Sequence, residues 1–180
     1  MKFKITFLWV IAMFIISCTT KDPSENENLN LITIPGQLDD GISGDPTDTV
    51  LYDDDLMAGQ NMDAGGVTVA LVDGNVVVTY DTSEGDWTID EVHLFIGDLG
   101  DLPTTGNGNP KIGHFPYSGS YGSGTTNVSF TGLELTEGEC VFIAAHAVVT
   151  NTATGQSETA WAAGIPMGGN NWAMMFEVCN

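Results

Sequence analysis

The side chains of this sequence that could do chemistry are three cysteines, three histidines and 24 carboxylates. Structural zinc sites use cysteine and histidine ligands at short, regular spacings. His93, His114 and His146 form no His-x-His or His-x-x-x-His pair, and no neighbouring cysteine or carboxylate completes a tight ligand set. The spacing therefore favours hydrogen-bonded structural histidines over a zinc site.

Oxygen ligands for calcium are concentrated in the polar segment 98–110. Calcium prefers six to eight carboxylate, amide and carbonyl oxygens, and this segment offers such groups at Asp98, Asp101, Asn107 and Asn109. The spacing is not that of an EF-hand loop with its closing glutamate. Two interpretations stay open, a calcium loop and a polar connection without an ion, and we expect no other cofactor.

No arrangement of residues predicts catalysis. The segment 119–124 is rich in glycine and serine, but it lacks the Gly-x-Ser-x-Gly elbow and following helix of a serine hydrolase. A phosphate-binding Gly-Lys-Ser/Thr motif is absent from the sequence too. Carboxylates are so numerous that some pair will suit glycoside hydrolysis by chance. We therefore expect a protein that is not an enzyme.

A cluster of rings suggests binding instead. His114, Phe115, Tyr117 and Tyr121 lie in a stretch rich in glycine and serine. Exposed rings on loops stack on sugar faces or anchor a protein partner. The alternative is that Phe115 and Tyr117 pack beneath the loop and bind nothing.

The charge of the chain excludes two classes of partner. The 180 residues carry four lysines and no arginine against 24 acids, for a formal net charge of −20. Nucleic-acid binding and polybasic binding to anionic lipid both need clustered cations. Neither function is compatible with this composition.

The first residues have the form of an export signal. Lys2 and Lys4 precede an apolar run over 5–16 that is too short to span a bilayer. The run ends in Ile15-Ile16-Ser17-Cys18, which resembles the lipobox of bacterial lipoproteins. The resemblance implies that residues 1–17 are removed and that Cys18 carries the lipid anchor.

The residues after Cys18 bear on the location of the protein. Thr19 to Asp22 lead to Glu25 and Glu27, and this acidic stretch loosely resembles the export signal of surface lipoproteins in the Bacteroidota. The resemblance implies an outer-membrane protein facing the exterior, with a periplasm-facing location as the alternative. Loss of Lys2 and Lys4 leaves two lysines against 24 acids, a net charge of −22.

The composition divides the remaining chain in two. Residues 18–62 are polar and acidic, which predicts a flexible tether. Residues 63–180 contain runs of β-branched and aromatic residues separated by turn signals. The runs predict one all-β domain, an Ig-like β-sandwich of about seven or eight strands. They lie at 67–72, 76–80, 87–97, 112–115, 125–130, 139–149, 157–162 and 172–178.

Cys140 and Cys179 remain after lipidation of Cys18. Because an exported protein meets an oxidising compartment, an even remainder favours a disulfide, with two separate thiols as the alternative. A loop of about 40 residues would be closed by such a bond.

Several segments of the domain also resemble an uncharacterised family of secreted bacterial modules. They are 87–97, 109–117, 144–147, 158–161 and 171–176. The resemblance implies a single exported domain and no particular activity. We expect a non-catalytic binding or adhesion module of the cell envelope, or alternatively an accessory glycan-binding lipoprotein of a polysaccharide uptake system.

Overall fold

The computed structural model describes residues 48–180, which fall within one compact unit. The predicted signal peptide, Cys18 and the tether up to residue 47 lie outside the described residues. No helix of the described part of the chain is long and apolar enough to cross a membrane.

The described chain is all-β, as predicted. Its ten strands are β1 Thr49–Ala58, β2 Met62–Val72, β3 Asn75–Asp81, β4 Trp87–Gly97, β5 Tyr117–Ser120, β6 Asn127–Glu134, β7 Cys140–Asn151, β8 Ser157–Ala162, β9 Ile165–Pro166 and β10 Met174–Cys179. Two single-turn 3-10 helices cover Leu99–Asp101 and Ile112–His114.

Eight of the strands form one antiparallel sheet in the order β5-β4-β7-β8-β1-β2-β3-β6. The sheet curves until it is nearly barrel-shaped. At one end, the amide of Ile89 in β4 donates to the carbonyl of Thr125, just before β6. β10 pairs with the first residues of β7 and with the short β9.

The hairpin between β2 and β3 shows how the sequence determines the register. Val72 pairs with Asn75, so the loop contains only Asp73 and Gly74. Both loop residues have positive φ, 49° and 81°, as a type I′ turn requires. Asp-Gly suits this turn because it tolerates positive φ better than most dipeptides.

The core lies inside the curved sheet. Alternate residues of the strands point inward, and the fully buried members include Leu56 of β1, Val78 of β3, Leu94 of β4, Phe130 of β6 and Ile143 of β7. The main core therefore contains residues from strands in both halves of the sheet order, so these strands belong to one domain.

A smaller apolar cluster covers the opposite face of β4, β7 and β8. Phe95, Ala144 and Trp161 lie on these strands, and Phe115 and Ala173 contact them from the connecting segments. The long connection after β4 thus packs against the sheet, and this packing buries rings that the sequence placed on a loop.

The predicted boundary between tether and domain at residue 63 is wrong. Strand β1 begins at Thr49 and pairs with β2 and β8 in the middle of the sheet order. Its acidic run, Asp53 to Asp55, is exposed, whereas Leu56 and Ala58 are fully buried. Three consecutive aspartates interrupt the apolar residues of the strand, and this acidic run makes the segment look like part of the tether.

The predicted edge strand at 112–115 is also wrong. Ile112–His114 forms a 3-10 turn, and the edge strand follows it as β5. The other predicted strands are confirmed, with the same bounds as predicted for 87–97 and 157–162.

Candidate functional site

The predicted ring cluster does not form an exposed platform. Phe115 is 5% exposed and Tyr117 is 8% exposed. Phe115 contacts Phe95 and Trp161, whereas Tyr117 contacts Phe130 of the main core. Of the four predicted residues, His114 alone is exposed. The alternative interpretation, that Phe115 and Tyr117 pack beneath the loop, is correct.

Tyr121 is half-buried and packs against the main core. Within the described part of the chain, neither its hydroxyl nor that of the fully buried Tyr80 has a hydrogen-bond partner. Burial raises the pKa of Tyr121 to about 12, and it raises that of Tyr80 as well. Both phenols are therefore neutral at physiological pH, and neither is a ready nucleophile or base.

The predicted calcium ligands separate into two places. Asp98 and Asp101 line a cleft beside the disulfide. The side-chain oxygen of Asn109 instead accepts a hydrogen bond from the amide of Asn170, and the backbone of Asn107 lies close to Gly169. Within residues 48–180 no three His, Cys, Asp or Glu side chains are grouped to hold a metal ion. The four predicted residues therefore do not form one site.

The cleft beside the disulfide, here called the disulfide cleft, has a volume of about 500 Å³. Carboxylates line it together with apolar side chains. Hydrogen bonds from Thr136 hold the pKa of the Glu139 carboxyl below its usual value. The lining residues are Gly97, Asp98, Asp101, Leu133, Glu134, Leu135, Glu139, Cys140 and Val141.

The disulfide between Cys140 and Cys179 is present, with an S–S distance of 2.03 Å. The two cysteines are directly opposed in the register of β7 and β10. The bond therefore fastens the last strand of the chain to the central strand β7. The alternative of two separate thiols is wrong.

A second open cleft, here called the aspartate cleft, has a volume of about 530 Å³ and lies across β1, β2 and β3. It is lined by Asp53, Asp54, Asp55, Asp63, Gly65, Gly66, Thr68, Asp81 and Glu84. The single lysine of the described residues, Lys111, lines neither cleft.

The carboxylates of the aspartate cleft help to raise the pKa of a neighbouring tyrosine. Burial raises the pKa of Tyr52, and the neighbouring charges of Asp54, Asp55 and Asp53 raise it further. The Tyr52 hydroxyl donates to the carbonyl of Ala163 at 2.5 Å, and its ring stacks on Phe176. The negative charge of the cleft therefore affects Tyr52, a β1 side chain that packs against Phe176.

One arrangement was not predicted from the sequence. His93 of β4 and His146 of β7 are directly opposed in the register, and their ring centres are 5.7 Å apart. The His93 Nε2 atom lies 2.9 Å from a carboxylate oxygen of Glu91. The rings of His146 and Trp161 form an edge-to-face contact with their centres 4.8 Å apart.

His146 is 2% exposed. Burial, and then the neighbouring His93, lower the pKa of His146 to about 4. The ring is therefore neutral at physiological pH. The sequence could not indicate the pair, because the two histidines are 53 positions apart and only the register of β4 with β7 joins them.

Comparisons with known proteins add no relative: no family model, no curated protein and no solved structure matches this chain.

Proposed function

We propose that this chain is a lipoprotein of the bacterial outer membrane that is anchored through Cys18 and faces the exterior. Its β domain binds a positively charged protein segment and performs no catalysis. The lipobox-like run that ends at Cys18 supports the anchor. Several acyl chains on one cysteine hold a protein far more firmly than a single chain does.

The observation that carries the binding proposal is the distribution of charge. Residues 48–180 contain 18 carboxylates and only one lysine, Lys111. Two open clefts are lined by four and six of these carboxylates, respectively. A surface of one sign attracts partners of the opposite sign and accelerates their association.

The glycan-binding alternative has less support. It depends on exposed rings, and Phe115 and Tyr117 are buried. Of the phenylalanine and tyrosine rings of the cluster only Tyr121 is partly exposed, and it is half-buried against the core. Binding of neutral sugars on a glycan array, lost in Tyr121→Ala, would favour this alternative.

The charge proposal predicts selective capture of basic peptides. We expect a lysine-rich peptide to bind the purified protein in surface plasmon resonance, and its glutamate-rich counterpart not to bind. The triple variant Asp53→Asn, Asp54→Asn, Asp55→Asn should weaken binding about tenfold, because three exposed charges of the aspartate cleft are removed. Affinity should also fall as salt is raised.

The matched control removes three charges elsewhere. Asp73→Asn, Glu137→Gln and Glu177→Gln change exposed acids that line neither cleft, and this triple variant should stay within about threefold of the wild type. Equal losses in the two triple variants would contradict binding at the aspartate cleft. Equal affinity for the two peptides would contradict the charge proposal itself.

A further inference from the structure

The opposed histidines lie together on the outer face of the sheet. His93 and His146 form a cross-strand pair between β4 and β7, on the side away from the main core. The ring of Trp161 in β8 packs against the His146 ring of this pair. The His93 side chain keeps 13% of its surface exposed, so the pair lies just below the solvent.

Both rings carry a nitrogen without a partner. The Nδ1 atoms of His93 and His146 are buried and find no hydrogen-bond partner among residues 48–180. A buried polar atom without a partner has lost its hydrogen bonds to water with no replacement, which is unfavourable, and such atoms are rare enough to need an explanation. Here two of them occur on directly opposed residues.

The hydrogen bond to Glu91 determines which His93 nitrogen is free to bind. Glu91 accepts at 2.9 Å from Nε2 of His93, so the neutral ring carries its proton on Nε2 and a lone pair on Nδ1. Histidines that ligate metals commonly donate their other ring N–H to a carboxylate in this way.

The spacing of the rings fits one shared ion. Two imidazoles that bind a tetrahedral ion at about 2.1 Å per nitrogen have ring centres about 5 Å apart, and these rings are 5.7 Å apart. We propose that one divalent transition-metal ion, Cu²⁺ or Zn²⁺, binds between Nδ1 of His93 and Nδ1 of His146. Glu91 holds the His93 ring in place by accepting the hydrogen bond from its Nε2 atom.

The chain supplies two ligands to this ion. Among residues 48–180 no third His, Cys, Asp or Glu joins the two histidines as a ligand group, so water takes the remaining coordination positions of the ion. Imidazole nitrogen prefers Cu²⁺ over Zn²⁺ in the order of divalent affinities. We therefore expect Cu²⁺ to bind more tightly than Zn²⁺.

Copper quenching of tryptophan fluorescence tests the site, because Trp161 contacts the His146 ring. All variants carry Cys18→Ser, which removes a thiol that would itself bind copper. We expect saturable quenching by Cu²⁺ that is smaller in Trp161→Phe, where Trp172 of the same apolar cluster remains as a fluorophore. His93→Gln and His146→Gln should each raise the dissociation constant at least tenfold, and Glu91→Gln about tenfold.

His114→Gln is the matched control, because it removes an exposed histidine from the 3-10 turn and should leave the dissociation constant within about twofold. If His146→Gln fails to fold, His93→Gln decides the question. Copper binding that survives His93→Gln, or the absence of both saturable quenching by Cu²⁺ and its reversal by competing Zn²⁺ at 100-micromolar concentrations, overturns the proposal. The second result would leave a buried water as the partner of the two Nδ1 atoms.

Discussion

Replacing both Cys140 and Cys179 by alanine is expected to lower the free energy of unfolding by about 4 kcal/mol. The bond closes a loop between residues 39 positions apart, and without it the unfolded chain regains the entropy of that loop. For a domain of this size, the melting temperature should fall by about 10–15 °C. Thermal unfolding followed by circular dichroism checks the value.

Loss of the disulfide should also have a local effect on the strand that it fastens, β10. β10 is the last strand, and Phe176 on it stacks against Tyr52 of β1. Loss of the bond should therefore increase amide exchange in β10 before it affects β4. Wild-type protein treated with dithiothreitol should melt at the same temperature as the double variant. A difference of less than about 1 kcal/mol between oxidised and reduced protein would contradict this account.

Lowering the pH should reduce the free energy of unfolding, because His146 is harder to protonate in the folded protein than in the unfolded chain. Its pKa in the folded protein is about 4, against about 6.5 in an unfolded chain. Between these values the unfolded state binds the proton and the folded state does not, so the free energy of unfolding falls as the pH falls. The contribution is fully present above pH 6.5 and is lost by about pH 4, a difference of about 3 kcal/mol.

Urea denaturation between pH 7.5 and pH 4, in the presence of a chelator, measures this loss. The titratable groups that face His146 are His93, which opposes it, and Glu91, which bonds to His93. His146→Gln should remove about 3 kcal/mol of the pH dependence, whereas the exposed His114→Gln should leave it unchanged. Parallel pH curves for the wild type and His146→Gln would contradict the role of His146.

The strands that the sequence predicted well are those with a strong local signal. β4 has the predicted bounds because six of its eleven residues are large and apolar, and β8 has them because its last three residues are apolar and buried. The β2–β3 hairpin follows from Asp73 and Gly74, which allow the tight turn. In these segments local propensity and tertiary packing favour the same structure.

The errors occur where tertiary packing overrides composition. β1 carries an exposed acidic run and is buried mainly at its end, near Leu56. Its charge therefore indicates a tether, although the strand pairs with two neighbours in the sheet. Phe115 lies in a loop by composition, but the cluster around Trp161 buries it. Neither outcome is visible without knowing which strands are neighbours.

The histidine pair shows the same limit for a site. Ligands on one strand or helix leave a short spacing that sequence reasoning finds, whereas His93 and His146 meet only through the pairing of β4 with β7. The disulfide was easier to predict, because the number of cysteines and the expected compartment sufficed without any knowledge of register.

The most direct test of the proposed anchored envelope protein is incorporation of labelled palmitate in bacteria that express the full chain. The proposal predicts that the wild-type chain is labelled and sediments with the outer membrane, and that protease added to intact cells digests it. Cys18→Ala should abolish the label, whereas the matched Cys179→Ala should retain it. Equal labelling of the wild type and Cys18→Ala, or no label in either, would contradict the lipid anchor.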